Sequence, residues 1–567
     1  MPGDTLNINT KAKKQNTYDA IVVGSGITGG WAAKELCAKG LKVLLLERGR
    51  NVEHIKDYPT ATKAPWEFEH HLSLSKKDKE EKFVQARHWS FKEDNKHFYI
   101  NDIENPYDET RRFDWIRGNT VGGRSLLWSR ACYRWSDLDF DANLKDGHGI
   151  DWPIRYKDLA PWYDYVESYI GVSGNADGVA ELPDGKFLPP FEMNSVEKSF
   201  KQKIEAAYKE RKVIIGRTAN LTKPVQGRGQ CQARDLCHRG CPFGAYFSTN
   251  ASTIPAAYAT GNLTVRSNAM VNKVLYDEQL QKATGVEIID TETKQTEEFY
   301  ANIIFLNAAT VATAFILLNS ISNRFPNGLG NGSDQVGRNL MDHHKGLSIS
   351  ASVEGFEDSY YYGRRPTGIY IPRFRNIGKE SSGFLRGYHF GGGASRGRQQ
   401  HEAAMGADLK DALTEPGAWG ISIYAFGETL PYADNRVTLN YNKKDPWGRP
   451  TITIDCEFKD NEKAMHKDIA TTGKEMLEAS GYKNIQVNGS LSFPGNANHE
   501  MGIACMGKNA KTSVLNAFNQ MHEVPNVFIT DGSCMSSGSC VNPSLTYMAL
   551  TARACEYAVR EMKKRNV

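Results

Sequence analysis

The chain has no uninterrupted apolar run of about 18 residues, the length a helix needs to span a bilayer, so it is not expected to cross a membrane by itself. Its opening stretch, MPGDTLNINTKAKKQNT, lacks the apolar centre and small-residue cleavage pattern of a secretory signal, so any export would rely on another protein's signal. Neither sign of charge dominates: 70 Lys and Arg against 66 Asp and Glu leave a formal net charge of +4. Basic residues cluster only in short pieces such as Lys11 to Lys14 and Lys563 to Arg565, which argues against a phosphate-tracking surface and a nucleic-acid partner. Ten cysteines in 567 residues are too sparse for a disulfide scaffold.

What is present is ordinary globular usage, with 40% hydrophobic, 24% charged and 10% aromatic residues, which gives no support to a disordered, collagen-like or coiled-coil chain. At roughly 150 residues per domain the length corresponds to about four domain equivalents, the size of a multi-domain enzyme.

From Tyr18 the chain reads YDAIVV, GSGITGG, WAAKELCAKG and LKVLLLE, a buried strand, a glycine turn, a helix and a second strand. Gly24, Gly26 and Gly29 occupy the G-x-G-x-x-G positions of a dinucleotide fold: the first for the turn, the second for approach to a pyrophosphate, the third for close helix packing. The pyrophosphate then sits at the helix N-terminus, whose free N–H groups favour an anion. Glu47, at the end of the second strand, is placed to accept hydrogen bonds from a ribose diol. FAD and NAD use the same pyrophosphate contacts, so this unit does not choose between them.

A second cluster stands out in GQCQARDLCHRGCPFGAYFS, where Cys231, Cys237 and Cys241 lie in a C-x5-C-x3-C arrangement followed by Pro242. Three thiolates on one short loop can converge on one centre. Zinc prefers four ligands, and His238 adjoins Cys237, an awkward geometry for two ligands on one ion. A thiolate-bound iron–sulfur cluster, or cysteines that are free or disulfide-linked, are the other readings.

Further segments carry a family resemblance. They are RGNTVGGRSLLWSRACYRW from Arg117, VGRNLMDHH from Val336, NHEMGIACMG from Asn498 and VFITDGSCMSSGSCVNPSLTYMAL from Val527. From about Tyr18 to the C-terminus the chain resembles the glucose-methanol-choline (GMC) oxidoreductases, and within them the branch of pyranose oxidases and the large subunits of bacterial sugar and gluconate dehydrogenases. The resemblance implies that Gly122, Gly123 and Ser125 pass close to a flavin. It also implies that Asp531 and Gly532 contact the ribityl-phosphate chain of FAD, and that His499 is the catalytic base with Asn542 as its partner. Leu127 stands where pyranose oxidases carry the histidine bonded to flavin, so non-covalent FAD is expected. The VGRNLMDHH segment bears on fold more than on mechanism. One departure is NAATVATAFILLNS, from Asn307 to Ser320, in place of the Gly-Ala-Ile-x-Ser-Pro signature of many relatives, which weakens the match to the alcohol and choline oxidase branch.

The cysteine spacing is similar to the 3Fe-4S site in flavoprotein subunits of bacterial FAD-dependent glucose dehydrogenases. This resemblance implies a dehydrogenase that passes electrons through the cluster to a cytochrome c-type acceptor. It also implies a small signal-bearing subunit and a periplasmic location by co-export, with a cytoplasmic one as the alternative. The expected fold is α/β with an α+β substrate part: a Rossmann-like FAD-binding domain (15–50, 111–150, 214–345 and 489–567, including the cysteine loop 224–246) interleaved with a substrate domain on an antiparallel sheet (51–110, 151–213 and 346–488). The substrate segments are rich in Trp, Tyr and Phe, which suits a sugar. The expected activity resembles glucoside 3-dehydrogenase, oxidising a secondary ring hydroxyl to a 3-keto sugar by hydride transfer to flavin N5. Gluconate 2-dehydrogenase, another sugar or polyol dehydrogenase, and an oxygen-using pyranose or C-glycoside oxidase are the alternatives.

Overall fold

The structure is a computed structural model that describes residues 16–359, 365–379, 381–399 and 405–567. A strand as uniformly apolar as Ala20–Val23 needs cover on both faces, which a parallel sheet flanked by helices provides. Thr17–Val23 is accordingly the centre of a parallel sheet in the order Leu263–Arg266, Val43–Leu46, Thr17–Val23, Thr296–Leu306, Val527–Ile529. The N-terminal half of Thr296–Leu306 instead pairs antiparallel with Lys282–Asp290, which pairs in turn with Ala269–Asp277. The helices Ile27–Ala38 and Ser544–Lys563 pack on this sheet through Ala32, Leu36, Ala554 and Ala558 against Ala20, Val22 and Val43.

A second sheet is antiparallel, with Lys483–Gly489, Leu347–Val353, Pro416–Gly427, Tyr388–Arg398, Ile369–Ile371 and Ile214–Ile215 side by side. Alternation along its strands separates two faces. Leu347, Ile349, Ala351 and Val353 join Met465, Ile469 and Met476 of helix Asp460–Ala479, and Phe200 and Ile204 of helix Ser195–Ala207, in one core. The alternate set, which includes Tyr370, His389, Tyr424 and Phe426, lines a cavity. The molecule is thus a Rossmann-like nucleotide part joined to a part built on an antiparallel sheet.

A third sheet stitches the two parts together by pairing Met501–Ile503 with Arg338–Met341, which continues through Arg436–Lys444 and Pro450–Asp455 to Asp108–Glu109. Its first pairing places residues 342–345 beside 497–500, although they lie far apart in the chain. Among the described residues no helix is long and apolar enough to cross a membrane.

The glycine turn shows how tightly the nucleotide part is built. Gly24 has φ +89°, and a Cβ on Gly29 would lie 1.7 Å from the Gly24 carbonyl oxygen. Neither backbone can retreat without parting helix from strand. Gly29→Ala should therefore cost about 1–3 kcal/mol of stability and lower the amount of dinucleotide retained on purification. Thermal unfolding and the absorbance of bound flavin measure both, and an unchanged variant would contradict the packing.

Candidate active site

The cavity, of about 1190 Å³, runs between the ends of the parallel strands and the open face of the antiparallel sheet. At one end stand Gly24, Gly26 and Glu47, with Asp531 and Gly532 from the turn after Val527–Ile529. Glu47 is buried and held in place: its carboxylate accepts the Ser25 N–H at 3.1 Å, the Ser25 hydroxyl at 2.6 Å and the Gly49 N–H at 3.1 Å. The same Ser25 hydroxyl accepts the Gly122 N–H at 2.9 Å, which draws the 118–128 loop onto the glycine turn. A Cβ on Gly123 would sit 3.2 Å from the Gly26 Cα, and one on Gly122 would meet Asn250 Oδ1 at 1.8 Å. The Ser125 hydroxyl donates to the Gly122 carbonyl at 2.6 Å and accepts the Thr249 N–H, so it holds the loop's shape. Asp531 accepts from the Ser533 N–H and hydroxyl and, at 2.6 Å, from the Thr313 hydroxyl.

These residues fit FAD. Gly26 has open space where a Cβ would stand, the cradle a pyrophosphate needs. Asn307 Nδ2 and Tyr547 Oη are among the buried polar atoms of the lining without a protein partner, as expected where a polar ligand completes the wall. Leu127 also lines the cavity and offers a flavin no nucleophile.

His499 and Asn542 line the same cavity. His499 Nδ1 lies 2.9 Å from His343 Nδ1, and His343 Nε2 lies 3.1 Å from the Gly538 carbonyl oxygen. A carbonyl only accepts, so His343 carries its proton on Nε2 and presents a bare Nδ1. His499 must then donate from Nδ1, which leaves its Nε2 with a free lone pair. His343 is fully buried, and burial pushes its pKa down to about 4, so it stays neutral. Burial likewise holds His499 well below its ordinary value, and the nearby His343, Lys345 and Arg124 add to the effect.

Two further contacts fix the segment bearing His499. The buried Asp342 carboxylate accepts the backbone N–H groups of Ala497 at 3.1 Å and His499 at 3.0 Å. Arg124, on the flavin-side loop, binds the buried Glu500 carboxylate through two nitrogens at 3.1 and 2.7 Å, a two-pronged charge pair. His499 and the 118–128 loop are therefore set in one frame. Beside them an aromatic column climbs the open sheet face: Tyr133 stacks on Tyr370 at 4.0 Å, Tyr370 on His389 at 4.5 Å, and His389 on Phe426 at 5.5 Å. His389 donates Nδ1–H to the Cys540 carbonyl at 2.6 Å, two residues before Asn542. The Asn542 side chain has no hydrogen-bond partner among the described residues, which leaves its amide for a ligand.

Sequence reasoning singles out His499 and Asn542 and reads the VGRNLMDHH segment as bearing on fold more than on mechanism. The structure adds that His343 from that segment is the direct hydrogen-bond partner of His499. The paired histidines were the available signal. Tyr370, His389 and Phe426 belong to no motif, and only strand register brings them together.

Cys231, Cys237 and Cys241 are free and half-buried on the wall of the same cavity. Burial raises the Cys231 thiol pKa, and the proximity of Cys237 and Cys241 raises it further. Their loop is pinned through Asp94, which accepts from His238 Nε2 at 2.9 Å and Arg239 Nε at 2.7 Å. Three soft thiols suit an iron–sulfur cluster in donor chemistry. Their geometry does not yet match it: among the described residues no group of three or more His, Cys, Asp or Glu is arranged to hold a metal ion.

Comparison with known proteins agrees with this architecture. Two GMC oxidoreductase family models match residues 18–345 and 431–551. The chain is 28% identical to 2-methyl-1,2-propanediol dehydrogenase of Mycolicibacterium austroafricanum, over 96% of this chain and 95% of that protein. It is 26% identical to the fructose dehydrogenase large subunit of Gluconobacter japonicus, over 96% and 98%. It is 25% identical to the gluconate 2-dehydrogenase flavoprotein of Pantoea cypripedii, over 100% and 96%. Among solved structures, pyridoxine 4-oxidase from Mesorbium loti superposes with a TM-score of 0.60 at 16% identity, over 96% of this chain and 99% of the other, which supports the fold.

Two outcomes follow from the histidine pair. His343→Phe removes the acceptor that fixes the His499 tautomer and should slow flavin reduction by about 100-fold with flavin retained. His343→Gln, which offers a carbonyl oxygen, should recover part of the rate. Anaerobic stopped-flow absorbance reads both, and a Phe variant reduced at the normal rate would remove His343 from this role. The second outcome concerns pH. The native pKa values of His343 and His344, about 4 and 3, lie below the unfolded value of about 6.5. As pH falls below about 6.5 the unfolded chain takes up protons that the native one refuses, so stability falls steadily from about pH 6.5 to 4. Melting temperature against pH checks this, and a flat profile over that window would contradict it.

Proposed function

Because the chain belongs to the GMC oxidoreductase family, we propose that it is an FAD-dependent dehydrogenase that oxidises a secondary ring hydroxyl of a sugar, with an activity like glucoside 3-dehydrogenase. The observation that carries this reading is the bare Nε2 of His499, held in one tautomer in the same cavity as the free amide of Asn542. Oxidising an alcohol requires the hydroxyl proton to leave as the carbon surrenders a hydride, so a neutral base must meet that oxygen. His499 Nε2 accepts the proton, and Asn542 donates a hydrogen bond to the same oxygen as negative charge grows on it. Because His499 is neutral well below its ordinary pKa, the base is available throughout the neutral range.

FAD, held without a covalent bond by the glycine turn, Glu47 and the Asp531–Gly532 turn, would supply the hydride acceptor. Arg124 and Glu500 keep the flavin loop and the base in register. We assign Cys231, Cys237 and Cys241 to an iron–sulfur cluster of the 3Fe-4S type on their spacing and thiol chemistry alone, since the loop as folded does not draw them into a ligand set. A cytochrome c-type acceptor, a small signal-bearing subunit and a periplasmic site of action complete the reading. The name of the fructose dehydrogenase large subunit supports a multi-subunit enzyme. Gluconate 2-dehydrogenase is the second reading, supported by the 25% identity to the gluconate 2-dehydrogenase flavoprotein over 100% of this chain.

Anaerobic titration of the purified enzyme with methyl glucoside should bleach the flavin, and His499→Ala should keep flavin yet lose most of its reduction, by about 100-fold or more. Normal reduction of that variant would overturn the base assignment. Iron and acid-labile sulfide near three irons per flavin are expected. Flavin without iron, rapidly reoxidised by air, would turn the reading to an oxidase.

A further inference from the structure

Lys345 follows directly on the His343–His344 pair, and its backbone is pinned in both directions to Ser492: the Lys345 N–H donates to Ser492 Oγ at 3.3 Å, and its carbonyl accepts the Ser492 N–H at 2.8 Å. The side chain lines the cavity. Its ammonium lies 5.9 Å from the centre of the Phe426 ring, whose centre is 5.6 Å from that of His499. Among the described residues it makes no hydrogen bond and no ion pair. The carboxylates nearest in influence are Asp342 and Asp114, and both are engaged. Asp342 accepts two backbone N–H groups, and Asp114 accepts from Arg87, Arg112 and Asn496.

The rest of the wall sharpens the point. Four carboxylates line the cavity: Glu47, Asp235, Glu500 and Asp531. Glu47 accepts from Ser25 and Gly49, Asp531 accepts from Ser533 and Thr313, Glu500 is paired with Arg124, and Asp235 on the cysteine loop has a partner of its own. The cavity wall therefore offers no free carboxylate to receive the hydroxyl protons of a neutral sugar. It offers donors instead: the Lys345 ammonium, the Asn542 amide and the buried Tyr370 hydroxyl, which has no partner. A half-buried ammonium with no hydrogen-bond or ion-pair partner among the described residues, and only more distant carboxylates to offset it, is costly unless a ligand supplies a direct one.

We propose that Lys345 binds a carboxylate on the substrate, so that the substrate is a sugar acid, either an aldonate or a glycoside of a uronic acid. This deepens the dehydrogenase reading above and rests on it. The ammonium selects the carboxylate and orients the sugar, while His499 and Asn542 act on a hydroxyl of the same molecule.

A matched pair of substrates tests it. Methyl glucuronoside and methyl glucoside differ only in a carboxylate in place of a hydroxymethyl group, and gluconate serves as an open-chain acid. Anaerobic flavin reduction by the wild-type enzyme should favour the glucuronoside over the glucoside by about 10- to 100-fold in rate constant over Kd, the worth of one charge-assisted hydrogen bond. In K345Q and K345M that ratio should fall toward one, and K345R should restore most of it. Flavin content of each variant reports whether it has folded, and if a variant loses flavin the wild-type preference alone decides. A wild-type enzyme that reduces flavin equally well or better with the neutral glucoside, or a K345Q variant that keeps the acid preference, overturns the assignment of Lys345 while leaving the dehydrogenase reading standing. Failure of all three compounds to bleach wild-type flavin overturns both.

Discussion

The hydrogen bond between His499 and His343 is the constraint on which the chemistry proposed for this molecule depends. An imidazole has two nitrogens, and only one assignment of the proton leaves a lone pair where a substrate hydroxyl can meet it. The Gly538 carbonyl settles the proton on His343, and His343 settles it on His499. Burial then keeps both rings neutral, which removes the competing state in which the base already holds a proton.

Much of the remaining architecture serves that contact. The pairing of Met501–Ile503 with Arg338–Met341 brings the two histidine segments together from distant parts of the chain. Asp342 ties the backbone at Ala497 and His499 from below, and the Arg124–Glu500 pair binds the same segment to the loop that faces the flavin. On the nucleotide side the logic is steric, since a side chain on Gly24 or Gly29 would collide with backbone, and Ser25 links Glu47 to the 118–128 loop. The nucleotide side and the segment bearing His499 are thus joined through the Arg124–Glu500 ion pair.

The nucleotide part was legible in the sequence because its signals are local. Strand, glycine turn, helix and acid follow one another within about 30 residues, the span of one such unit. His499 and Asn542 could be singled out because each sits inside a distinctive run, and the structure puts both on one cavity. The contact of His499 with His343 could not, because His343 lies in a segment whose sequence bears on fold more than on mechanism, and the contact depends on sheet register. The same holds for Tyr370, His389 and Phe426, which occupy separate strands with ordinary alternation, and for Lys345, whose lack of an ion-pair partner among the described residues is a property of three dimensions. The cysteines show the converse case: their spacing is plain in the sequence, while the folded loop does not bring them into a ligand set.

The most direct measurement of the central claim is nitrogen NMR of the histidine side chains in holoenzyme labelled at histidine, at neutral pH. The account predicts that His499 carries its proton on Nδ1 with Nε2 bare, and that His343 carries its proton on Nε2. A protonated Nε2 on His499, or a doubly protonated ring, would leave no lone pair for the substrate hydroxyl and would contradict it.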